Sequence, residues 1–388
     1  MAIRYGYNNG PIEKRNRWLV MNNDFSLTKL QKKYLNDSMN KVSRSFALVT
    51  PCFEYPLNYF MSTAYLICRV VDNIEDCSQP LDWKRLRFSE FRKLLKDPAQ
   101  SREILNIWKN EDWPGLTPDE RRMMSLAEGL PLWQIYSLIP DAPRSAIGRW
   151  SLEMARGMEN AEDPDSEPLF VTHGEVRLLA REQDYNQYCY FVAGTVGNMI
   201  TDLAIDHYCL DDEEASPLLN LSEACGRGLQ KTNIVKDFVH DLERGVCYLP
   251  DIRMQSAMYT PLNLAGAPLS WKQDVLGDVF DELKDFFSYI QALPTRAKGY
   301  RLASLLCVLP ACQTIWKAAC NQDKLFTPDH DIKISRVTFY RCIHDARAMA
   351  ASNEAIMLYS QKMDARFGKL LAASQTNVDK RAASSCNS

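Results

Sequence analysis

Apolar residues recur at steps of three and four along most of the chain, a spacing that places them on one face of a helix. The pattern is clearest in three segments, residues 27–49, 83–97 and 274–293. Runs that alternate between apolar and polar residues are nearly absent, and residues 241–251 predict one short strand or hairpin. The pattern therefore predicts an all-α protein.

Short segments rich in Pro, Gly and Asp interrupt the helical pattern and mark connections between helices. They lie at residues 51–56, 112–118, 159–168, 248–251 and 259–268. No repeat of solenoid length is present, and the composition does not change before about residue 366. We therefore predict one large helical domain over residues 35–365. Residues 1–34 form an N-terminal extension without an assigned role, and residues 366–388 form a polar, flexible tail.

Composition and charge narrow the class of protein. Apolar residues make up 46% of the 388 positions and charged residues 24%, as in soluble globular proteins. The formal net charge of −3 offers no field that would attract nucleic acid. The oligomeric state cannot be read from the sequence.

The location of the protein follows from what the sequence lacks. No secretory signal is expected, because the N-terminus has no run of about 7 to 15 apolar residues. The most apolar stretches, residues 190–205 and 302–316, are interrupted by polar residues or by Pro310, so no transmembrane span is expected either. The 12 cysteines have no C-x-x-C spacing and are interpreted as reduced thiols. We expect a cytoplasmic protein, with peripheral membrane contact left open.

Two helical segments carry a polar stripe although the rest of each segment is strongly apolar. The first stripe is Asp72, Glu75 and Asp76, at steps of three and one that share a helix face. The second steps by four and consists of Asn233, Asp237 and Asp241. One such pair of acids is most often solvated surface, but two stripes beside apolar residues require cations. Oxygen ligands without His or Cys favour Mg²⁺, completed by phosphate oxygens, with Mn²⁺ as a substitute.

Basic and aromatic residues accompany the two stripes. Arg44 and Arg69 lie near the first stripe, and Lys231 and Lys236 flank the second. Each of them is equally well explained by an ordinary salt bridge. Four aromatic residues precede Gly194 and Gly197, and such rings suit a helical core as well as a carbocation site: they are Tyr185, Tyr188, Tyr190 and Phe191. The two glycines are three residues apart, and small residues at this spacing let a helix come close to a neighbour or a ligand. No P-loop and no dinucleotide-binding glycine motif is present.

Four segments together resemble the squalene and phytoene synthases, which are head-to-head prenyl transferases. They are SRSFALVTP (residues 43–51), YLICRVVDNIED (65–76), DYNQYCYFVAGTVG (184–197) and LQKTNIVKDFVHD (229–241). The resemblance extends over about residues 35–355 and implies a single all-α domain of the isoprenoid synthase fold with a central cavity. It implies that two farnesyl or geranylgeranyl diphosphates bind through Mg²⁺ held by the two stripes.

The resemblance also assigns roles to single residues. Asp72, Asp76, Asp237 and Asp241 become metal ligands with a catalytic role, supported by Asn233 and Glu75. Tyr188 becomes the candidate catalytic tyrosine. The diphosphate-binding candidates are Arg44, Arg69, Lys231 and Lys236, and the candidates for lining the cavity and stabilising a cation are Phe46, Tyr65, Phe191 and Gln230.

The squalene branch of the family is the more similar one. The segments LLCVLPACQTIWKAACNQ (305–322) and DIKISR (331–336) resemble parts of that branch associated with NADPH. They make Cys307, Pro310, Lys333 and Arg336 candidates for binding this cofactor. Some positions depart from the branch, with Lys236, Val246 and Ala311 in place of the expected Arg, Arg and Gln. These departures concern the reductive step more than the metal site.

Three functions remain open from the sequence. The first is a squalene synthase, which condenses two farnesyl diphosphates to presqualene diphosphate and reduces this product with NADPH. The second is a non-reductive relative that makes dehydrosqualene or phytoene, or that stops at presqualene diphosphate. The third is a catalytically inactive helical module that binds prenyl diphosphates. The two complete acidic stripes favour an enzyme, and the segments assigned to NADPH favour the first function.

Overall fold

The computed structural model describes residues 25–43, 45–162, 169–328, 330 and 332–385. Helices make up 77% of the chain, so the prediction of an all-α protein is confirmed. Among the described residues the α-helices are α1 Lys29–Val42, α2 Phe46–Val49, α3 Leu57–Asp76, α4 Leu81–Lys96, α5 Ser101–Trp108, α6 Pro118–Met123, α7 Leu126–Leu138, α8 Asp141–Glu162, α9 Glu182–Cys189, α10 Thr195–Tyr208, α11 Asp212–Glu243, α12 Asp251–Gln255, α13 Leu269–Ala292, α14 Lys298–Cys320, α15 Arg336–Met349 and α16 Asn353–Ser385.

Contacts divide the chain into two compact units. Of the described residues, unit 1 comprises those up to Leu152 together with Met199–Ser216, and unit 2 comprises those from Glu153 to Asn198 and from Pro217 onwards. Helix α16 continues as far as Ser385, through much of the polar C-terminal segment. The predicted division into an extension, a domain of residues 35–365 and a flexible tail stays a prediction, and residues 1–24 lie outside the described part of the chain.

Helix α3 forms the centre of unit 1. It is apolar on most of its circumference, and its residues Leu66, Ile67 and Val71 have almost no exposed surface. Helices α1, α4 and α7 pack around it. Helix α1 begins at a capping box, in which the Thr28 hydroxyl accepts from the backbone N–H of Gln31. Helix α3 is thus covered on several sides, and even its polar residues Thr63 and Asn73 are buried.

Unit 2 is built on a group of long helices. Helix α13 packs against α14 and α16, and α15 packs on α14. Val275, Val279, Leu283 and Ile290 bury the inner face of α13 at steps of four and seven. Three short strands, β1 Phe170–His173, β2 Val176–Leu179 and β3 Val246–Cys247, form a small sheet in the order β1-β2-β3. Strand β3 falls within the segment for which a strand or hairpin was expected, and β1 and β2 were not predicted.

One helix in the described part of the chain is long and apolar enough to cross a membrane by length and composition alone. This helix is α14, Lys298–Cys320, with a mean hydropathy of 1.4 over its most apolar window. That window is 61% buried within the protein, as in the core helix of a water-soluble fold. The finding agrees with the expectation that no span is present, and it shows no membrane association.

Candidate active site

Helix α3 positions the first acidic stripe next to its own arginine. Asp72 lies one helical turn after Arg69, and Arg69 Nη1 is 3.4 Å from Asp72 Oδ2. Arg69 Nη2 donates to the Tyr65 hydroxyl at 3.5 Å, one turn earlier. Tyr65, Arg69 and Asp72, the candidates for the cavity, the diphosphate and the metal, therefore form one continuous polar row along α3.

The carboxyl group of Asp72 is in an environment that disfavours its charge. Desolvation raises the pKa of Asp72 to about 6, with Asp76 and Glu120 adding to the shift and the Arg69 guanidinium opposing it. About a quarter of the side-chain surface, 24%, still reaches solvent. A partly accessible carboxylate that lacks sufficient positive charge is suited to bind a cation.

Glu120 belongs to this cluster, although no pattern in the sequence predicts it there. It lies 4.0 Å from Arg69 and accepts from the Thr117 hydroxyl and backbone N–H in the capping box that begins α6. The T-P-D-E pattern at residues 117–120 indicates a helix start. It carries no information about the distance between α6 and α3, and so this contact could not be predicted.

The other two acids of the first stripe lie at the C-terminal end of α3. Glu75 and Asp76 are both half-buried. The backbone carbonyl of Glu75 accepts from Lys84 Nζ on α4, and this contact fixes the end of the helix. Among the residues that the structure describes, no three His, Cys, Asp or Glu side chains are grouped closely enough to hold a metal by themselves. The stripe fits Mg²⁺ held by one or two carboxylates and completed by phosphate and water oxygens.

Two of the residues expected to line the cavity lie together in unit 1. The rings of Phe46 and Tyr65 are 5.0 Å apart at an angle of 33°. Tyr65 thus contacts an aromatic ring as well as the Arg69 guanidinium. Arg44, two residues before Phe46, lies outside the described residues, and its assignment to the diphosphate stays a prediction.

Helix α11 carries the second stripe in a more open setting. Asn233 is exposed, and Asp237 and Asp241 are half-buried. Lys236 Nζ is 3.0 Å from Asp237 Oδ2 and 3.2 Å from Asn233 Oδ1. The expected grouping of Lys236 with this stripe is therefore seen within unit 2. Gln230, earlier on α11, is half-buried.

Lys231 lies in very different surroundings from Lys236. Its side chain is 1% exposed, and its ammonium nitrogen is 3.0 Å from both Asp278 Oδ2 and Glu282 Oε1 on α13. The same nitrogen lies 4.9 Å from the centre of the Tyr185 ring. These contacts give Lys231 a structural role in joining α11 to α13. Its assignment to the substrate diphosphate stays a prediction that the geometry does not support.

Further ion pairs continue the buried charges around Lys231. Arg227 Nε is 3.2 Å from Glu282 Oε1, and Arg253 lies 3.7 Å from Asp278. Arg253 also pairs with Glu182 at the start of α9. The network therefore joins α9, α11, α12 and α13, and it fixes the orientation of the helix that carries the second stripe.

Tyr188 is held in a cluster of aromatic rings. Its ring stacks on Tyr248 at 4.7 Å and 17°, and it meets the ring of Phe170 edge-on at 6.0 Å. Only 6% of Tyr188 is exposed. Phe170 lies on β1 and Tyr248 directly follows β3, and no pattern in the sequence predicted either contact. Such a cluster fixes the ring of Tyr188 in one orientation.

The glycines after the aromatic residues allow two helices to approach closely. A Cβ atom at Gly226 on α11 would lie 2.0 Å from the carbonyl oxygen of Ala193, and one at Gly197 would lie 2.1 Å from that of Ser222. Residues 190–194 form a π-helical turn between α9 and α10, a feature frequent at functional sites. Phe191, in this turn, is buried. The expected close helix approach is observed.

The two segments assigned to NADPH meet in unit 2. Cys307 and Pro310 are half-buried on α14, and Lys333 and Arg336 are exposed at and before the start of α15. Lys317 Nζ on α14 donates to the Lys333 carbonyl, which holds the second segment against the first. The assignment of these four residues to NADPH stays a prediction.

Comparison with known proteins identifies the relatives of the chain. The family model for squalene/phytoene synthase matches residues 39–371. A squalene synthase of Candida albicans is 28% identical over 214 residues, 55% of this chain and 44% of the relative. A bifunctional lycopene cyclase/phytoene synthase of Podospora anserina is 24% identical over 283 residues, 68% of this chain and 44% of the relative. The chain thus spans less than half the length of either relative.

Solved structures agree on the fold. A complex of TcSQS with the ligand BPH1237 is 20% identical, with a TM-score of 0.71 over 88% of this chain and 97% of that one. The helical content and this likeness define the class of protein, the all-α isoprenoid synthase fold. The family match covers most of the chain, and so the chain belongs to the squalene/phytoene synthase family of prenyl transferases. The resemblance found from the sequence is confirmed.

Proposed function

We propose that the protein is a squalene synthase, which condenses two farnesyl diphosphates head to head and reduces the product with NADPH. The observation that carries this proposal is the desolvated carboxyl group of Asp72 beside Arg69, in the family motif on α3. The complete second stripe on α11 and the squalene synthase relative support it. The condensation first gives presqualene diphosphate.

Asp72, Asp76, Asn233, Asp237 and Asp241 would hold Mg²⁺, with Glu75 in support. The bound ions would supply positive charge to the departing diphosphate, as a Lewis acid does. The two stripes belong to different units. Their joint action on one pair of substrates is therefore part of the proposal.

Other residues act on the organic part of the substrates. In the first half-reaction one allylic C–O bond breaks, a bond to the second chain forms, and a proton leaves as the cyclopropane closes. Tyr188 would accept or relay this proton. Its aromatic neighbours fix the orientation of its ring, which supports this role. The faces of Phe46, Tyr65 and Phe191 offer negative charge density to the cation without a nucleophilic lone pair close by. Gln230 is the remaining candidate for the cavity wall.

Cations of the chain complete the diphosphate sites. Lys236 is partly accessible beside Asp237, with 33% of its side chain exposed, and can reach a phosphate oxygen. Arg69 pairs with Asp72 and would add positive charge close to the leaving group. In the second half-reaction the second diphosphate would leave, and NADPH would supply the hydride that ends the rearrangement. Cys307, Pro310, Lys333 and Arg336 are the candidates for holding this cofactor.

A non-reductive product is the second candidate, because a phytoene synthase also lies among the relatives. The test is to incubate the full chain with farnesyl diphosphate and Mg²⁺, with and without NADPH, and to identify the products by mass spectrometry. Squalene that appears only with NADPH is the expected result. Dehydrosqualene or presqualene diphosphate in both incubations would establish the second candidate. If no prenyl diphosphate reacted, the result would favour an inactive module that only binds prenyl diphosphates.

A further inference from the structure

A groove in unit 2 is lined by residues of α14, α15 and α16 and of the segment before α15, and it carries a cluster of cations to which the proposed reaction assigns no role. Its volume is about 550 Å³, in the range of small-molecule sites. Part of its wall belongs to the two segments that resemble the NADPH-associated parts of the family, but among the described residues none of the single candidates for metal, diphosphate or NADPH lines it. Its walls include the rings of Trp316 and Tyr359 and the hydroxyl groups of Ser335 and Thr338.

Positive charge dominates the groove. Four cations line it, and they are Lys317, Arg341, Lys362 and Arg366. The one acid of the lining is Asp345, whose Oδ1 lies 3.3 Å from His344 Nδ1. Like charges that converge on a cavity repel one another, and a bound anion would remove that cost.

The four cations lack the carboxylate partners found elsewhere in unit 2. Among the described residues no carboxylate oxygen lies within 4.0 Å of their charged nitrogens. Lys317 donates to a backbone carbonyl, and Arg366 lies over the Trp316 ring at 4.7 Å from its centre. Arg341 and Lys362 are exposed. Lys231, in contrast, is buried between two carboxylates of the same unit.

The start of α15 adds further donors to this groove. Ser335 is the N-cap of this helix of 14 residues, and its hydroxyl accepts from the Thr338 backbone N–H at 3.1 Å. The positive end of the helix dipole thus lies at the groove together with the four side chains. Gln313 Nε2 on the opposite wall donates to the Tyr359 hydroxyl at 3.0 Å, which keeps that wall ordered.

We propose that this groove binds the phosphate group of an organic phosphate. A phosphate monoester carries a charge of about −1.5 to −2 at neutral pH and offers three acceptor oxygens, which suits several unpaired cations better than a single carboxylate does. The ligand is either the headgroup of an anionic phospholipid, whose diester keeps one negative charge and two free oxygens, or a soluble phosphate, and both present an anionic phosphoryl group that accepts hydrogen bonds. Val337, 71% exposed next to Thr338, favours the lipid source. This inference does not depend on the proposed reaction.

The test compares the double variant Arg341→Gln/Lys362→Gln with a matched control, Arg347→Gln/Lys298→Gln. The control removes the same charge from two exposed residues that do not line the groove. Lys298 lies about 28 Å from Lys317 along α14, at 1.5 Å per residue. Thermal unfolding of each protein verifies that it is folded. Binding is the readout, so the result stands whether or not the condensation occurs.

Each full-length protein is titrated with inorganic pyrophosphate by calorimetry in EDTA, and separately sedimented with phosphatidylglycerol or phosphatidylcholine vesicles. We expect the groove variant to bind at least about tenfold more weakly than the control in one of the two arms, with an effect that salt reduces. Loss confined to phosphatidylglycerol vesicles identifies a headgroup, and loss confined to pyrophosphate identifies a soluble ligand. Equal binding by the groove variant and the control in both arms would overturn the proposal.

Discussion

The two acidic stripes look alike in the sequence but differ in their surroundings. On α3, desolvation raises the pKa of Asp72 to about 6 although Arg69 is close. On α11, Asp237 is 40% exposed and pairs with Lys236 at the surface. The first stripe is therefore maintained at a cost to folding, whereas the second costs little. Such a cost is typical of residues retained for function.

The largest effect on stability is expected at the contact that supports the second stripe. Gly226→Ala would place a Cβ 2.0 Å from a backbone oxygen of the preceding helical segment, and we expect a loss of at least about 3 kcal/mol in the free energy of unfolding. Gly277→Ala on α13 is the control, because no atom within 4 Å would meet its Cβ. It should gain about 0.5–1 kcal/mol. Urea unfolding measures both, and equal stability of the two variants would contradict the packing described here.

The two lysines near the second stripe should respond differently to the same change. Lys231→Met would leave Asp278 and Glu282 without their buried partner, and we expect a loss of about 3–5 kcal/mol. Lys236→Met removes a surface pair and should change stability by less than about 1 kcal/mol. Lys236→Met should instead raise the KM for farnesyl diphosphate. If Lys231→Met instead raised the KM without loss of stability, Lys231 would have to be assigned to substrate binding.

Replacing the acids themselves sharpens the contrast between the stripes. Because the pKa of Asp72 is raised in the folded protein, its ionised form opposes folding at pH 7. Asp72→Asn should therefore stabilise the metal-free protein by about 2–3 kcal/mol. Asp237→Asn should change stability by less than about 0.5 kcal/mol. Thermal unfolding in EDTA measures both variants. Destabilisation by Asp72→Asn would show that the ion pair with Arg69 outweighs desolvation.

Lowering the pH should change the stability contributions of Asp72 and of a second buried group of unit 1, His207, in opposite directions. Burial lowers the pKa of His207 to about 4, against the opposing effect of Glu54. Its contribution to stability is complete above the unfolded pKa of about 6.5 and is lost as the pH falls towards 4, with a loss of about 2 kcal/mol at pH 5. Asp72 has the opposite sign, because its folded pKa is raised. His207→Phe keeps a ring beside Tyr208 and should lessen the loss of stability between pH 6.5 and 5. An unchanged pH profile would refute this assignment.

The sequence predicted what depends on local spacing. The apolar period of α3 and α13, the row of Arg69 and Asp72, and the close approach at Gly197 all follow from steps of three and four. It did not predict contacts that depend on how distant segments pack. Glu120 reaches Arg69 from α6, and Lys231 is paired 47 residues away with Asp278. Lys231 and Lys236 flank the same stripe in the sequence, but only Lys231 is buried. The spacing of residues along one helix does not determine this difference, because burial depends on which other helices pack there.

The central claim is that both stripes serve one reaction on prenyl diphosphates. Its most direct test is the rate of diphosphate release from farnesyl diphosphate with Mg²⁺, measured for the wild type, Asp72→Asn and Asp237→Asn. We expect each variant to lose at least about 100-fold in rate, although their stabilities change so differently. A rate near that of the wild type in either folded variant would contradict the claim.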